Sequence, residues 1–164
     1  MIYRIKQFIW ALSAHITQSD EEFLKEYLNK NEINLFNKMS IMDKKHSINT
    51  ARDVKKICMN KQINSIMLIR VALLHDIGKS EYKLNVIEKS IVVILNKFSK
   101  GKIKKYSNIK CIDIYYNHAS IGYEMLKQFN YSELFLFLIK NHHNSDIISN
   151  KEELQILQNC DNKN

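Results

Sequence analysis

Hydrophobic residues along this chain recur at spacings of three and four, the signature of helices that bury one face. Ile5, Phe8, Ile9, Leu12 and Ile16 keep that spacing and predict an amphipathic helix over residues 2–16. Ser19 followed by Glu22 has the spacing of a capping box and predicts a second helix through about Leu28. A short helix is expected over residues 32–38, then a longer one over 43–59 with His46, Thr50 and Asp53 close to one stripe. From Asn64 to Asp76 the chain is apolar almost all round, as in a helix at the centre of a domain. Gly78, just past its end, suits a left-handed C-terminal cap. Further helices are predicted over 84–98, 111–118, 121–129, 132–143 and 152–159, with the lysine-rich stretch 99–105 as an exposed loop.

Composition sharpens this pattern. Proline is absent and glycine occurs three times, which disfavours a barrel or sandwich with many tight turns. The 164 residues and 45% hydrophobic content suffice for one domain with a real core. No repeat, low-complexity tract or linker interrupts the chain. The expected fold is all-α, a single-domain helical bundle.

The net charge of +8 raises nucleic acid as a partner. A blander cause outweighs it: lysine (22), asparagine (18) and isoleucine (24) dominate, as an A/T-rich coding sequence would produce, and arginine numbers three. Arginine is the better phosphate fork and base reader. The loop lysines Lys100, Lys102, Lys104 and Lys105 form the one basic patch, with Tyr106 as its single adjacent aromatic. Nucleic acid is therefore disfavoured, although a positive field would also attract a phosphorylated small molecule. Arg4 and Lys6 are too few to favour a membrane-surface role for the first helix over packing on the body. The three cysteines lack CxxC spacing and read as small buried residues in a reducing compartment. With no apolar run of transmembrane length and no signal-peptide pattern, a cytoplasmic protein is expected.

Five of six histidines fall into one series: His46, His75 beside Asp76, His118, and the doubled His142-His143, closed by Asp161. His75-Asp76 ends the most apolar helix, where an unpaired carboxylate would be costly. Taken singly, each has an ordinary structural reading: an ion pair for Asp76, a backbone hydrogen bond for a histidine, a frayed exposed terminus for Asp161. His118 and Gly122 share a helical face, and glycine there would let a neighbouring helix approach closely. Together, five imidazoles and two carboxylates exceed what one six-coordinate ion needs. That excess points to two ions bridged by a carboxylate, with Asp76 the natural bridge. A nitrogen-rich set favours Fe, Mn, Co, Ni or Zn over Mg.

The order His46, His75-Asp76, Asp161, with His75 to Lys79 reading HDIGK, resembles the HD-domain metal-dependent phosphohydrolases, and their HDIG subgroup in particular. His118 in HASIGYEML and the pair His142-His143 resemble the second-metal histidines of two-metal members, including the HD-GYP cyclic-dinucleotide phosphodiesterases. After the double histidine, Asn144-Ser145-Asp146-Ile147 departs from the HD-GYP continuation. The resemblance covers about residues 44 to 162. It implies an HD-type core over 44–164, with residues 1–43 forming N-terminal helices packed on it. It also implies hydrolysis of a nucleotide or other small phosphoester by metal-activated water. His46, His75, Asp76 and Asp161 would hold a first ion, and Asp76, His118 and His142 a second. His143 would complete that shell or touch substrate, and Lys79 would contact a phosphate oxygen. Two rival readings are a non-catalytic metal- or nucleotide-sensing module and a lysine-rich nucleic-acid-binding protein.

Overall fold

The computed structural model describes residues 15–144 and 152–164. The helix predicted over 2–16 lies almost wholly outside them, as do Ser145, Asp146 and Ile147. The described residues form eight α-helices: α1 (Gln18–Tyr27), α2 (Lys30–Phe36), α3 (Ile41–Lys61), α4 (Ile66–Leu74), α5 (Val86–Phe98), α6 (Lys110–Lys127), α7 (Glu133–Asn141) and α8 (Glu152–Lys163). Short 3-10 turns occupy Ile77–Glu81 and Lys102–Tyr106. No strand occurs among the described residues, so the all-α expectation holds.

α4 is the central element. Leu68, Ile69, Val71, Ala72, Leu73 and Leu74 are all buried, so the helix is enclosed nearly all round. α3 packs along it through Ile48, Ala51, Val54 and Cys58, spaced at three and four residues, and α8 packs against both α3 and α4. α6 lies against the first 3-10 turn and α7. A smaller core of Val92, Ile103 and Ile112 joins α5 and the second 3-10 turn to α6.

Two helix starts also tie helices together. The first capping box is Thr17 with Asp20, two residues ahead of the expected Ser19 with Glu22: the Thr17 hydroxyl accepts from Asp20 N, and Asp20 Oδ2 accepts from Thr17 N at 2.9 Å. Asp20 wins this position because its carboxylate also meets Lys45 and Arg52 of α3, each at 2.7 Å. Burial works against the Asp20 carboxylate, yet Lys45 and Thr17 hold its pKa down at about 2. At α2, Asn29 and Glu32 form the second box, and buried Glu32 also accepts from Arg70 of α4 and from Tyr131, each at 2.6 Å.

Four further expectations change. Gly78 does not take a left-handed cap; it lies within the first 3-10 turn, and Gly101 is the positive-φ glycine among the described residues. Residues 111–118 and 121–129 are not two helices but parts of the continuous α6. The stretch 99–105 is not wholly an exposed loop, because Ile103 is buried within a 3-10 turn. The last helix runs on to Lys163, past the expected end at 159, and Asp161 is buried in its last turn.

Candidate metal centre

The seven candidate side chains come from five helices and the turns that follow them. His46 stands in α3, His75 is the C-cap of α4 and Asp76 begins the following turn. His118 is in the middle of α6, His142 and His143 follow the end of α7, and Asp161 is in the last turn of α8. All seven converge, although His46 and Asp161 are 115 positions apart in sequence and 2.7 Å apart in space. Sequence spacing alone could not show this. It follows from α4 running through the core, so that its C-terminal end is surrounded by α3, α6, α7 and α8.

Asp76 divides the cluster. Its Oδ2 lies 3.5 Å from His75 Nε2 and 3.9 Å from His46 Nε2. Its Oδ1 lies 3.3 Å from His118 Nε2 and 3.8 Å from His142 Nε2. Asp161 Oδ1 adds to the first set at 3.3 Å from His75 Nε2, and its Oδ2 lies 3.6 Å from His143 Nδ1. His118 Nε2 and His143 Nε2 are 3.0 Å apart.

Ring orientation is set by backbone carbonyls. His75 Nδ1 donates to Ala72 O at 2.8 Å, His118 Nδ1 to Ile114 O at 3.0 Å, and His142 Nδ1 to Ile139 O at 2.7 Å. A carbonyl oxygen can only accept, so Nδ1 carries the proton in each ring and Nε2 is turned toward the shared centre. His75 Nε2, His142 Nε2 and Asp76 Oδ1 are buried and make no hydrogen bond. Three orphaned ligand-type atoms within one buried cluster are what bound cations would satisfy. The donor set, imidazole nitrogen with carboxylate oxygen, fits a divalent metal. Asp76 with His118, His142 and His143 is one group whose ligand atoms lie within 4.8 Å of one another; His46, His75 and Asp76 form a second, and His75, His142 and Asp161 a third that links the two.

Electrostatics without metal follow from burial and mutual charge. Burial disfavours the His75 imidazolium, but the Asp76 and Asp161 carboxylates outweigh it and hold its pKa at about 9. His142 goes the other way: burial and the neighbouring His75 charge push it well below its ordinary value. Burial and His118 bring His143 down to about 4. Burial opposes ionised Asp76, yet Lys79 and His75 hold its pKa well below the carboxylate range. Asp161 is held below that range mainly by His75 and His46, again against burial.

His46 is partly exposed and His143 half-exposed, so the cluster opens on their side while His75, His142 and Asp76 form its floor. Lys79 Nζ lies 2.5 Å from Asp76 Oδ2 and 3.9 Å from Asp43 Oδ1. Sequence reading missed Asp43. It is buried, accepts from Ser40 Oγ at 2.5 Å, and its Oδ1 is 3.5 Å from Lys89 Nζ of α5. Its signal was available: Asp43 precedes His46 by three residues and so shares its helix face.

The glycines explain how α6 comes so close. A Cβ on Gly78 would stand 2.0 Å from His118 O and 2.7 Å from Gly122 N. Gly122 faces back, its own added Cβ lying 3.2 Å from Gly78 N. The backbone carrying Asp76 therefore rests directly on the backbone carrying His118.

A helical bundle that gathers five imidazoles and a second carboxylate around a buried aspartate defines a class of protein that could hold divalent metal. The family model described as HD domain matches residues 44–163, most of the chain, and the chain belongs to that family. That family is all-α in fold, and its members are commonly metal-dependent phosphohydrolases. No curated protein and no solved structure matches the chain.

Proposed function

We propose that this protein is a two-metal phosphohydrolase acting on a nucleotide or other small phosphoester. The observation that carries the reading is the division of Asp76, whose two oxygens face two different sets of imidazoles. In this reading His46, His75, Asp76 and Asp161 hold one divalent transition ion. Asp76, His118 and His142 hold the other, with His143 completing that set or touching substrate. Fe, Mn, Co, Ni and Zn suit these donors. Bound ions supply Lewis-acid polarisation of a phosphoryl oxygen and acidify water at neutral pH.

The protein's own groups complete the site. Nδ1 bonds to backbone carbonyls fix the ring orientation of His75, His118 and His142 before any ligand arrives. Against the effect of burial, Asp76 and Asp43 raise the pKa of Lys79 and keep it cationic beside the site. Its ammonium is placed to orient a phosphate oxygen as a point charge. His143, neutral at physiological pH, offers a hydrogen-bonding ring at the opening. No helix among the described residues is long and apolar enough to cross a membrane.

The test is a panel of nucleotides, cyclic dinucleotides and phosphomonoesters, assayed with metal-free and metal-reconstituted protein. Metal-dependent release of phosphate or nucleoside monophosphate from at least one member is expected. Tight metal or nucleotide binding without turnover of any member would assign the site to sensing.

A further inference from the structure

α5 is turned the wrong way for a helix on a water-facing surface. Its body-facing side holds buried Val92, Asn96 bonded to Tyr115 at 3.3 Å, and Lys89 reaching Asp43 at 3.5 Å. Its outward side holds Ile87, Ile91, Ile94, Leu95 and Phe98, exposed by 70%, 50%, 53%, 46% and 83%. At one residue per 100°, these five fall within an arc of roughly 100°. A soluble helix normally carries the reverse arrangement, apolar in and polar out. Nothing among the described residues covers this stripe.

Charge is concentrated in the same stretch of chain. Between residues 81 and 110 the chain has eight lysines against two glutamates, a surplus of six in a chain whose net charge is +8. Of the eight, only Lys89 makes an ion pair among the described residues. Glu88 is engaged by Tyr82 at 2.7 Å and by the helix start, so it does not neutralise the lysines.

We propose that the outward face of α5 and its flanking lysines dock onto an anionic lipid bilayer. The helix would lie in the interface, with Ile91 and Phe98 among the acyl chains and the lysines at the headgroups. Apolar side chains rimmed by lysine are the pattern of interfacial helices. Each lysine near an anionic surface adds to the attraction. A second copy of the chain fits less well. The five side chains expose on the order of 500 Å², short of the about 800 Å² each partner gives a stable dimer, and two such faces would oppose their lysines. Nucleic acid would use the lysines but has no need of an isoleucine and phenylalanine stripe. The inference stands apart from the phosphohydrolase reading.

The test is sedimentation of the full chain with vesicles of phosphatidylcholine containing roughly 30% phosphatidylglycerol, and with pure phosphatidylcholine, at about 0.1 M salt. Binding is expected to the anionic vesicles and to be at least about tenfold weaker to the neutral ones. The double variant Ile91→Ser/Phe98→Ser should lower binding at least about tenfold. Lys100→Gln/Lys102→Gln should lower it roughly thirty-fold. Met59→Ser, which alters an equally exposed hydrophobic elsewhere, should change nothing. Thermal melting of each variant near the parent value establishes that it is folded. Absence of binding to anionic vesicles would overturn the proposal, as would binding indifferent to Ile91→Ser/Phe98→Ser. A dimer in solution that dissociates on Phe98→Ser would assign the face to self-association. Salt-sensitive capture of duplex DNA, with vesicle binding absent, would assign the lysines to nucleic acid. Binding of a defined acidic peptide by the parent, with no vesicle binding, would assign the face to a protein.

Discussion

Replacing Gly78 with alanine probes the contact on which the site's geometry rests. The new Cβ would meet His118 O at 2.0 Å and His118 C at 2.9 Å, both backbone atoms that cannot swing aside. Restoring an ordinary separation of about 3.4 Å requires the turn and α6 to part by about 1.4 Å. Overpacking of this kind costs about 1–3 kcal/mol, and a backbone-on-backbone clash belongs at the upper end. For a chain of this size about 3 kcal/mol corresponds to a melting temperature lowered by about 6–12 °C. The same movement separates Asp76 from His118, whose Oδ1 and Nε2 lie 3.3 Å apart. Metal ligand distances hold within about 0.2 Å, so metal bound by the His118 set should be lost. Gly122→Ala is the graded comparison, because its Cβ meets Gly78 N and Ile77 Cγ2 at 3.2 Å and needs only a few tenths of an ångström. About 1 kcal/mol is expected there. Gly101→Ala should cost about 1 kcal/mol through its positive φ, with no change in metal, since its nearest neighbour in space is 4.0 Å away. Differential scanning calorimetry with elemental analysis measures all three. A Gly78→Ala protein with parental melting temperature and full metal content would refute the reasoning.

Asp76→Ala should abolish turnover and reduce metal content more than any other single change, because one carboxylate serves both sets; activity and metal content equal to the parent would make Asp76 a helix-end structural residue. Metal affinity should rise with pH by about tenfold per unit up to about 9, because the metal-free protein keeps His75 protonated to about that value and a ligand nitrogen must lose its proton. Calorimetric titration in buffers of different ionisation enthalpy should show proton release near pH 7.5, and a flat affinity profile without release would contradict it. The same raised pKa stabilises the metal-free fold fully below about 6.5 and is lost as pH rises through about 9, which a melting series reads directly. Asp20→Ala should cost about 2 kcal/mol in urea denaturation at neutral pH, since it removes a cap and two ties to α3. Because the folded pKa of Asp20 is lowered to about 2, the gap from the parent should close as pH falls from about 4 toward that value.

Much of the bundle is legible from apolar spacing because most helices bury one stripe, and α4 announces itself by having no polar stripe at all. Helix ends were less legible, for physical reasons. Thr17 prevails over Ser19 because Asp20, unlike Glu22, is clamped by Lys45 and Arg52 from a helix that sequence cannot place alongside. α6 reads as two helices because polar Ser120 falls between its apolar residues, yet its backbone continues so that His118 and Gly122 can both face the turn. Gly78 looks like a cap because glycine after a helix commonly is one; its actual reason, contact with α6, depends on tertiary structure. At the site, residue types and order identified the seven convergent side chains. Asp43 was passed over because a first-turn aspartate is ordinary helix-start chemistry, and only the folded chain brings Lys79 and Lys89 to it.

The central claim is that Asp76 joins two ion-binding sets, and the metal stoichiometry of His118→Ala tests it most directly. His118 meets Asp76 Oδ1 and His143, but it is absent from the group formed by His46, His75 and Asp76. Elemental analysis of metal-reconstituted parent protein should give two ions per chain. His118→Ala should give one, with folding retained by circular dichroism and turnover reduced. A single ion in active parent protein, unchanged by His118→Ala, would contradict the account and leave a one-metal site of His46, His75, Asp76 and Asp161.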